Sequence, residues 1–195
     1  VKGGVVQKKN NATSTGDYYL EAMTHWKFEQ SRPSPGFKHV VSKRDLDRFI
    51  EIVPDFEELS RGLDAIILRK GSDDFFGLYR SGWTQNGTIH LSAWRSEMYL
   101  PMSKELYEAH PELMERLNVP YDEDDPLVWR TYHFTKETAR VFMLLDVFLQ
   151  ELGHHHDRVT SKRKKRCGRG ESYAEEIART TATKLWPEYL KRFEV

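Results

Sequence analysis

An α+β fold, with a small antiparallel sheet packed on one long helix, is predicted by three features of this 195-residue chain. Two β-rich runs, Phe75 to Trp83 and Thr88 to Trp94, flank Gln85-Asn86-Gly87, and Asn-Gly is the strongest short hairpin signal because both residues tolerate the positive φ of a tight turn. Downstream, Val141, Leu144, Leu145, Phe148 and Leu152 recur at helical spacing behind Thr135, a residue suited to cap a helix start. A second helical pattern opens at Glu171 and runs to about Trp186, where Pro187 interrupts it.

The remaining elements follow from local chemistry. Residues 1–16, with Gly3-Gly4 and the polar run Asn10 to Thr15, read as a flexible N-terminal segment, and 17–195 as a single domain large enough to bury a core. Ser31 to Gly36 is a turn-rich joint. Ser42 then opens a helix, with Asp45 three residues on to complete a capping box and Leu46, Phe49 and Ile50 as its apolar face, ending before Pro54. A short helix is expected over Phe56 to Gly62, a strand over Ala65 to Arg69 and a turn over Gly71 to Asp74. Lys104 to Leu117 has helical spacing, the acidic stretch Tyr121 to Pro126 reads as a loop, and Leu127 to Phe134 as a strand. Trp83, Trp94, Trp129 and Phe134 read as core and hairpin pairing.

Composition narrows the function classes. Acidic and basic side chains balance at 30 each, so no global field draws in nucleic acid or an anionic surface. The basic run Lys162 to Arg169 has no interleaved aromatic side chains and reads as a solvated loop, which argues against a nucleic-acid partner. The single cysteine, Cys167, excludes an internal disulfide and fits a reducing, cytoplasmic setting. No apolar run approaches the roughly 20 residues of a membrane span.

The chemistry concentrates in Gln150-Glu151-Leu152-Gly153-His154-His155-His156-Asp157, which is the sequence H-E-L-G-H with its first histidine replaced by Gln150. In the intact motif two histidines one helical turn apart reach one zinc ion, and the glutamate beside the first takes a proton from the metal-bound water. His154 and Glu151 stand in the positions of the second ligand and the general base. Gln150 is a weak substitute, because a neutral amide oxygen binds zinc less strongly than imidazole nitrogen. Gly153 costs roughly 1 kcal/mol in a helix interior, so a close approach of another backbone or of a substrate is expected there.

The pattern Glu171, Ala174, Glu175 and Ala178 on the following helix completes a resemblance to the gluzincin metallopeptidases, and among them to the compact ImmA/IrrE-type peptidases, whose second helix reads E-x-x-A-N/D-x-x-A. The resemblance covers about the last 60 residues. It implies a zincin-like fold with Glu171 as third zinc ligand, Glu175 as the carboxylate behind it, His154 and position 150 as the remaining ligands, and Glu151 as base. His155, His156 and Asp157 are nearby candidates to substitute for the missing histidine, although none lies four residues before His154, and Asp146 lies one turn before Gln150 on the same face. Tyr173, two residues after Glu171, faces away from the ligand side and reads as packing. The function implied is hydrolysis of a peptide by zinc-activated water, with an edge strand such as Thr88 to Trp94 holding an extended peptide or protein substrate. The alternative is a catalytically degenerate zincin that serves as a binding or regulatory module, with zinc weak or absent.

Overall fold

The computed structural model describes residues 26–71, 76–81, 87–103, 108, 111–125, 129–161 and 169–193. In chain order the elements are β1 Lys27–Gln30, β2 Phe37–Lys38, α1 Lys43–Ile50, α2 Phe56–Leu59, β3 Leu63–Arg69, β4 Gly77–Ser81, β5 Gly87–Ser92, β6 Trp94–Arg95, β7 Tyr99–Ser103, α3 Pro111–Leu117, β8 Tyr121–Asp125, β9 Trp129–His133, α4 Lys136–Phe142, a π-helical segment Met143–Phe148, α5 Leu149–Thr160 and α6 Glu171–Phe193. The fold is α+β. The N-terminal segment 1–16, most of the basic run and Cys167 lie outside the described residues.

The capping chemistry works as the sequence implies. Ser42 accepts from the Asp45 backbone and Asp45 accepts from the Ser42 backbone at the start of α1. Thr135 and Thr138 form the same reciprocal pair at the start of α4. Two expectations fail. Tyr121 to Asp125 is a strand, β8, because pairing with β9 overrides the loop character of its acidic residues. Helix α6 continues through Pro187 to Phe193: the proline sits on the exposed face, and beyond it Tyr189 and Phe193 are buried, with rings stacked at 4.3 Å, which holds the last turns onto the domain.

The principal sheet is mixed rather than antiparallel, which corrects the sequence expectation. Its order is β1-β3-β5-β4, with β1, β3 and β5 parallel and only β4 reversed. The excursion through α1 and α2 between β1 and β3 is long enough to bring the chain back in parallel. The unbroken apolar run Ala65-Ile66-Ile67-Leu68 suits β3's inner position. The expected hairpin is present as β4 and β5, in register from Gly77↔Leu91 to Ser81↔Gly87. Two smaller antiparallel sheets are β2-β6 and β7-β9-β8.

The expected long helix is continuous through α4, the π segment and α5. Leu144, Leu145, Phe148, Leu149 and Leu152 are almost wholly buried. On one side Phe148 meets Phe49 of α1 edge-on at 5.9 Å, and Phe49 meets Tyr189 of α6 at 6.0 Å. On the other side Val147 lies against Gly77 of β4. Near its start Phe142 joins Phe76, Trp94 and Phe134 in an aromatic cluster. Burying each such side chain stabilises the fold by roughly 1.5–3 kcal/mol, and the helix that carries Gln150 to Asp157 is therefore one of the most firmly held elements of the domain.

Candidate functional site

Gly153 explains how helices α5 and α6 meet. A Cβ at Gly153 would lie 2.8 Å from the Ala174 Cα, 3.1 Å from its carbonyl oxygen and 3.3 Å from its Cβ. The two small residues thus let the backbones touch, which is the close approach expected from a glycine in a helix interior. With the backbones this near, side chains one turn to either side of the contact meet across the seam.

Three of them converge. The Gln150 Nε2 donates to Glu171 Oε1 at 2.5 Å, and the His154 Nε2 lies 3.3 Å from Glu171 Oε2. The Glu171 carboxylate, at the first position of α6, therefore bridges two residues one turn apart on α5. A carboxylate only accepts, so the amide must present its nitrogen there, and its oxygen is turned from Glu171. The cluster opens to solvent: the His154 side chain is 18% exposed and that of Glu171 61%.

Glu151 lies behind this cluster in a different environment. It is buried, and burial raises its carboxyl pKa from an ordinary 4.5 to about 7, with the Tyr79 N–H lowering it and the Glu171 charge raising it further. The partner is informative. Ser92 N donates to Phe76 O, so by the alternation of an antiparallel ladder Phe76, Leu78 and Arg80 bond toward β5, while the main-chain groups of Gly77, Tyr79 and Ser81 face the open edge of β4. Glu151 takes the Tyr79 donor on that edge. Gly77 makes room for it, since a Cβ there would fall 2.6 Å from Glu151 Oε1 and 2.4 Å from Val147 Cγ1. The edge strand beside Glu151 is therefore β4, the other edge of the sheet being β1, and the sequence expectation that placed an edge at Thr88 to Trp94 is corrected: β5 is paired on both sides.

The residues after His154 are committed elsewhere. His155 is fully buried, its Nε2 3.0 Å from the Arg61 carbonyl and its Nδ1 3.4 Å from the Tyr79 hydroxyl. The carbonyl accepts, so Nε2 carries the proton, and burial holds the imidazole pKa down to about 4. His156 bonds the Tyr173 hydroxyl through Nδ1 at 2.7 Å, with the rings stacked, which matches the packing role expected of Tyr173. Asp157 is fully buried and accepts from the Ser161 hydroxyl, the Arg169 side chain and the backbone N–H groups of Arg169 and Gly170. Desolvation, the largest single influence, would raise its pKa, but the hydrogen bonds together hold it at about 2. Asp157 thus pins the entry to α6, and with it the position of Glu171. The hydrogen bonds of His155 and Asp157 run to residues other than Gln150, His154 and Glu171.

Glu175 is exposed on α6, and with Asp146 and Gln150 it borders a cavity of about 370 Å³ between α3, the π segment and α6. Asp146, one turn before Gln150, is buried, with 9% exposure.

A tightly held zinc ion does not fit the donors present. His154 and Glu171 are strong ligands, yet both carboxylate oxygens are engaged, one of them by the Gln150 amide, which would have to break that bond to offer its oxygen. Among the described residues no three His, Cys, Asp or Glu side chains are grouped as a metal ion would require. Compared with protein-family models, curated proteins and solved structures, the chain matches none.

Sequence reasoning did not single out Gly77, Tyr79 or Arg61, and it read Gly87 as a turn residue, whereas Gly87 is the first residue of β5. A glycine within a strand pattern is a recognised sign of close approach. Gly77 fits that rule beside Glu151, and Gly87 fits it beside Tyr79 and His155, where a Cβ would lie 2.3 Å from the tyrosine ring and 2.7 Å from the imidazole. Arg61 contributes only its carbonyl, which no side-chain pattern reports.

Proposed function

We propose that this chain is a zincin-like protein whose hydrolytic centre has become a hydrogen-bonded peptide-binding centre. The observation that carries the reading is the Glu171 carboxylate held between Gln150 and His154, with the neighbouring Glu151 buried on the same helix and hydrogen-bonded to the antiparallel edge strand β4. That is the arrangement the sequence resemblance implies, with an amide hydrogen bond in place of the first metal ligand. A glutamine side chain carries one acceptor and two donors, the complement of a peptide group, and His154 adds a further polar atom at the open face of the cluster. No helix among the described residues is long and apolar enough to cross a membrane.

An active metallopeptidase is the second reading, and one observation favours it. Glu151 is kept at a buried position with its pKa near 7, where a general base is most effective, although a neutral residue would be less costly there.

One set of variants separates the two. Zinc titration by calorimetry and cleavage of a mixed peptide pool are measured on the wild type, on Gln150→His, and on Gln150→His with Glu151→Gln. Weak zinc binding and no cleavage are expected of the wild type, and zinc tighter by orders of magnitude for Gln150→His. The double variant should keep the zinc and show no hydrolysis. Nanomolar zinc with turnover in the wild type would establish the enzyme instead, and unchanged zinc affinity in Gln150→His would overturn the zincin reading itself.

A further inference from the structure

The cavity of about 370 Å³ beside Gln150 is not used by the site as described so far. Its apolar lining comprises Leu145 and Ala178, both buried, together with Leu113 and Trp186. Its charged groups are unequal. Glu112, Asp146, Glu175 and Glu176 contribute four carboxylates against the two guanidinium groups of Arg116 and Arg179. Of the two cations, Arg116 lies over the Trp186 ring at 5.6 Å, and of the four anions, Glu112 accepts from Thr183 at 3.4 Å. Asp146 lines the cavity from the π-helical segment, a backbone irregularity frequent at functional sites.

We infer that this cavity receives the side chain of a lysine or arginine of the bound peptide, an inference that rests on the peptide-binding reading. A cavity lined by both apolar side chains and an excess of carboxylates matches the form of such a side chain, an aliphatic stem carrying a cationic head. The volume lies at the lower end of the range for small-molecule sites, roughly 300–1,000 Å³, which suits one long side chain and not a folded partner. Gln150 ties the two regions together. It lines the cavity and bonds Glu171, so a peptide lying across the Gln150–His154–Glu171 cluster has the cavity mouth beside it. The carboxylates then select the residue at that position, and the backbone contacts at the cluster are common to all sequences.

The test uses the full chain with fluorescein-labelled pentapeptides identical except for a central Lys, Arg, Ala or Glu, measured by anisotropy, together with N-acetyl-lysine amide followed by tryptophan fluorescence and assigned with Trp186→Phe. The Lys and Arg peptides are expected to bind about tenfold or more tighter than the Ala peptide and the Glu peptide weakest, in line with a charge-assisted contact. Added salt should shrink the difference. Combining Glu175→Gln with Glu176→Gln, both at exposed positions, should remove most of the preference for Lys and Arg over Ala, and Asp146→Asn should reduce it further. Peptides that bind without preference, or that prefer Glu, would overturn this inference and leave the peptide-binding reading intact. Binding of N-acetyl-lysine amide with no peptide binding would uphold the cavity as a cation site and overturn the peptide reading. Binding of neither probe would overturn the inference.

Discussion

Two carboxylates six residues apart on one helix, Glu151 and Asp157, are both buried yet are driven in opposite directions, and each difference has a measurable consequence. Burial raises the Glu151 pKa from 4.5 to about 7, with the Glu171 charge adding to the rise and a single backbone donor, the Tyr79 N–H, opposing it. Between those values the folded state holds the proton and the unfolded state does not, so stability falls as pH rises through the window, and the full cost, about 3 kcal/mol, applies above pH 7. Glu151→Gln keeps an acceptor for the Tyr79 N–H and removes the ionisation. It should raise the urea midpoint markedly at pH 8 and little at pH 4; an unchanged midpoint at pH 8 would refute the raised pKa. Asp157 is the reverse, its pKa lowered from 3.8 to about 2 by the donors around it. Its stabilisation is complete above 3.8 and is lost as pH falls through 2. Asp157→Ala strands the Arg169 and Gly170 N–H groups and should cost on the order of 3 kcal/mol at pH 7, read from the same urea melts. Because Asp157 sets the start of α6, the variant should also loosen the Glu171–His154 pairing, visible as a changed His154 imidazole chemical shift.

Among the elements, the α5–α6 seam depends on Gly153. Alanine in its place would raise helix propensity by roughly 1 kcal/mol, but the new methyl would press on Ala174 at 2.8 Å. The obstructing atoms include Ala174 Cα and its carbonyl oxygen, which cannot rotate away. Gly153→Ala is therefore expected to destabilise the fold by about 2 kcal/mol net despite its propensity gain, and Ala174→Gly should not rescue it, since the backbone clash persists. Full rescue in a double-mutant cycle would show the contact to be side chain only. Elements with a local cause were legible beforehand: the capping box at Ser42, the cap at Thr135, and the antiparallel pairing of β4 with β5, whose connection lies outside the described residues. Elements formed by partners were not. β1, Lys27–Gln30, has no apolar alternation and exists by lying parallel to β3, and β8 is recruited by β9 in the same way. The π segment is another case, since Met143 to Phe148 has ordinary helical spacing and gives no local sign of its wider turn.

For the domain as a unit, the buried titratable groups set a pH optimum. His155 and His90 are held neutral with pKa values of about 4, by burial in both cases, with Arg69 and Arg80 adding to it at His90. Their contribution is present above the ordinary 6.5 and is lost as pH falls through 4, because the unfolded chain takes up protons that the folded one refuses. Glu151 acts with the opposite sign between 4.5 and 7. Stability should therefore climb from acid pH to a broad maximum near pH 6.5 and decline slightly beyond it. In Glu151→Gln the decline should become a plateau. Urea melts at half-unit steps from pH 4 to 8 would map both curves, and a wild-type optimum at pH 8 or above would contradict them.

The amino-acid sequence by itself determined the α+β class, the helix that carries residues 150–157, the helix start at Glu171, and the need for a close neighbour at Gly153, because caps, helical spacing and the cost of glycine act within a few residues of one another. It also supplied the residue types of the site and their order. Only the tertiary structure decided how they are shared out: that the principal sheet is mixed with β4 at its edge, that Glu151 bonds that edge, that His155 and Asp157 are taken by Arg61, Tyr79, Arg169 and Gly170, and that Gln150 bonds Glu171. The physical reason is one of range. A hydrogen-bond donor or acceptor specifies its partner only after the backbone has folded, and every one of those partners of Glu151, His155 and Gln150 lies more than a dozen residues away along the chain.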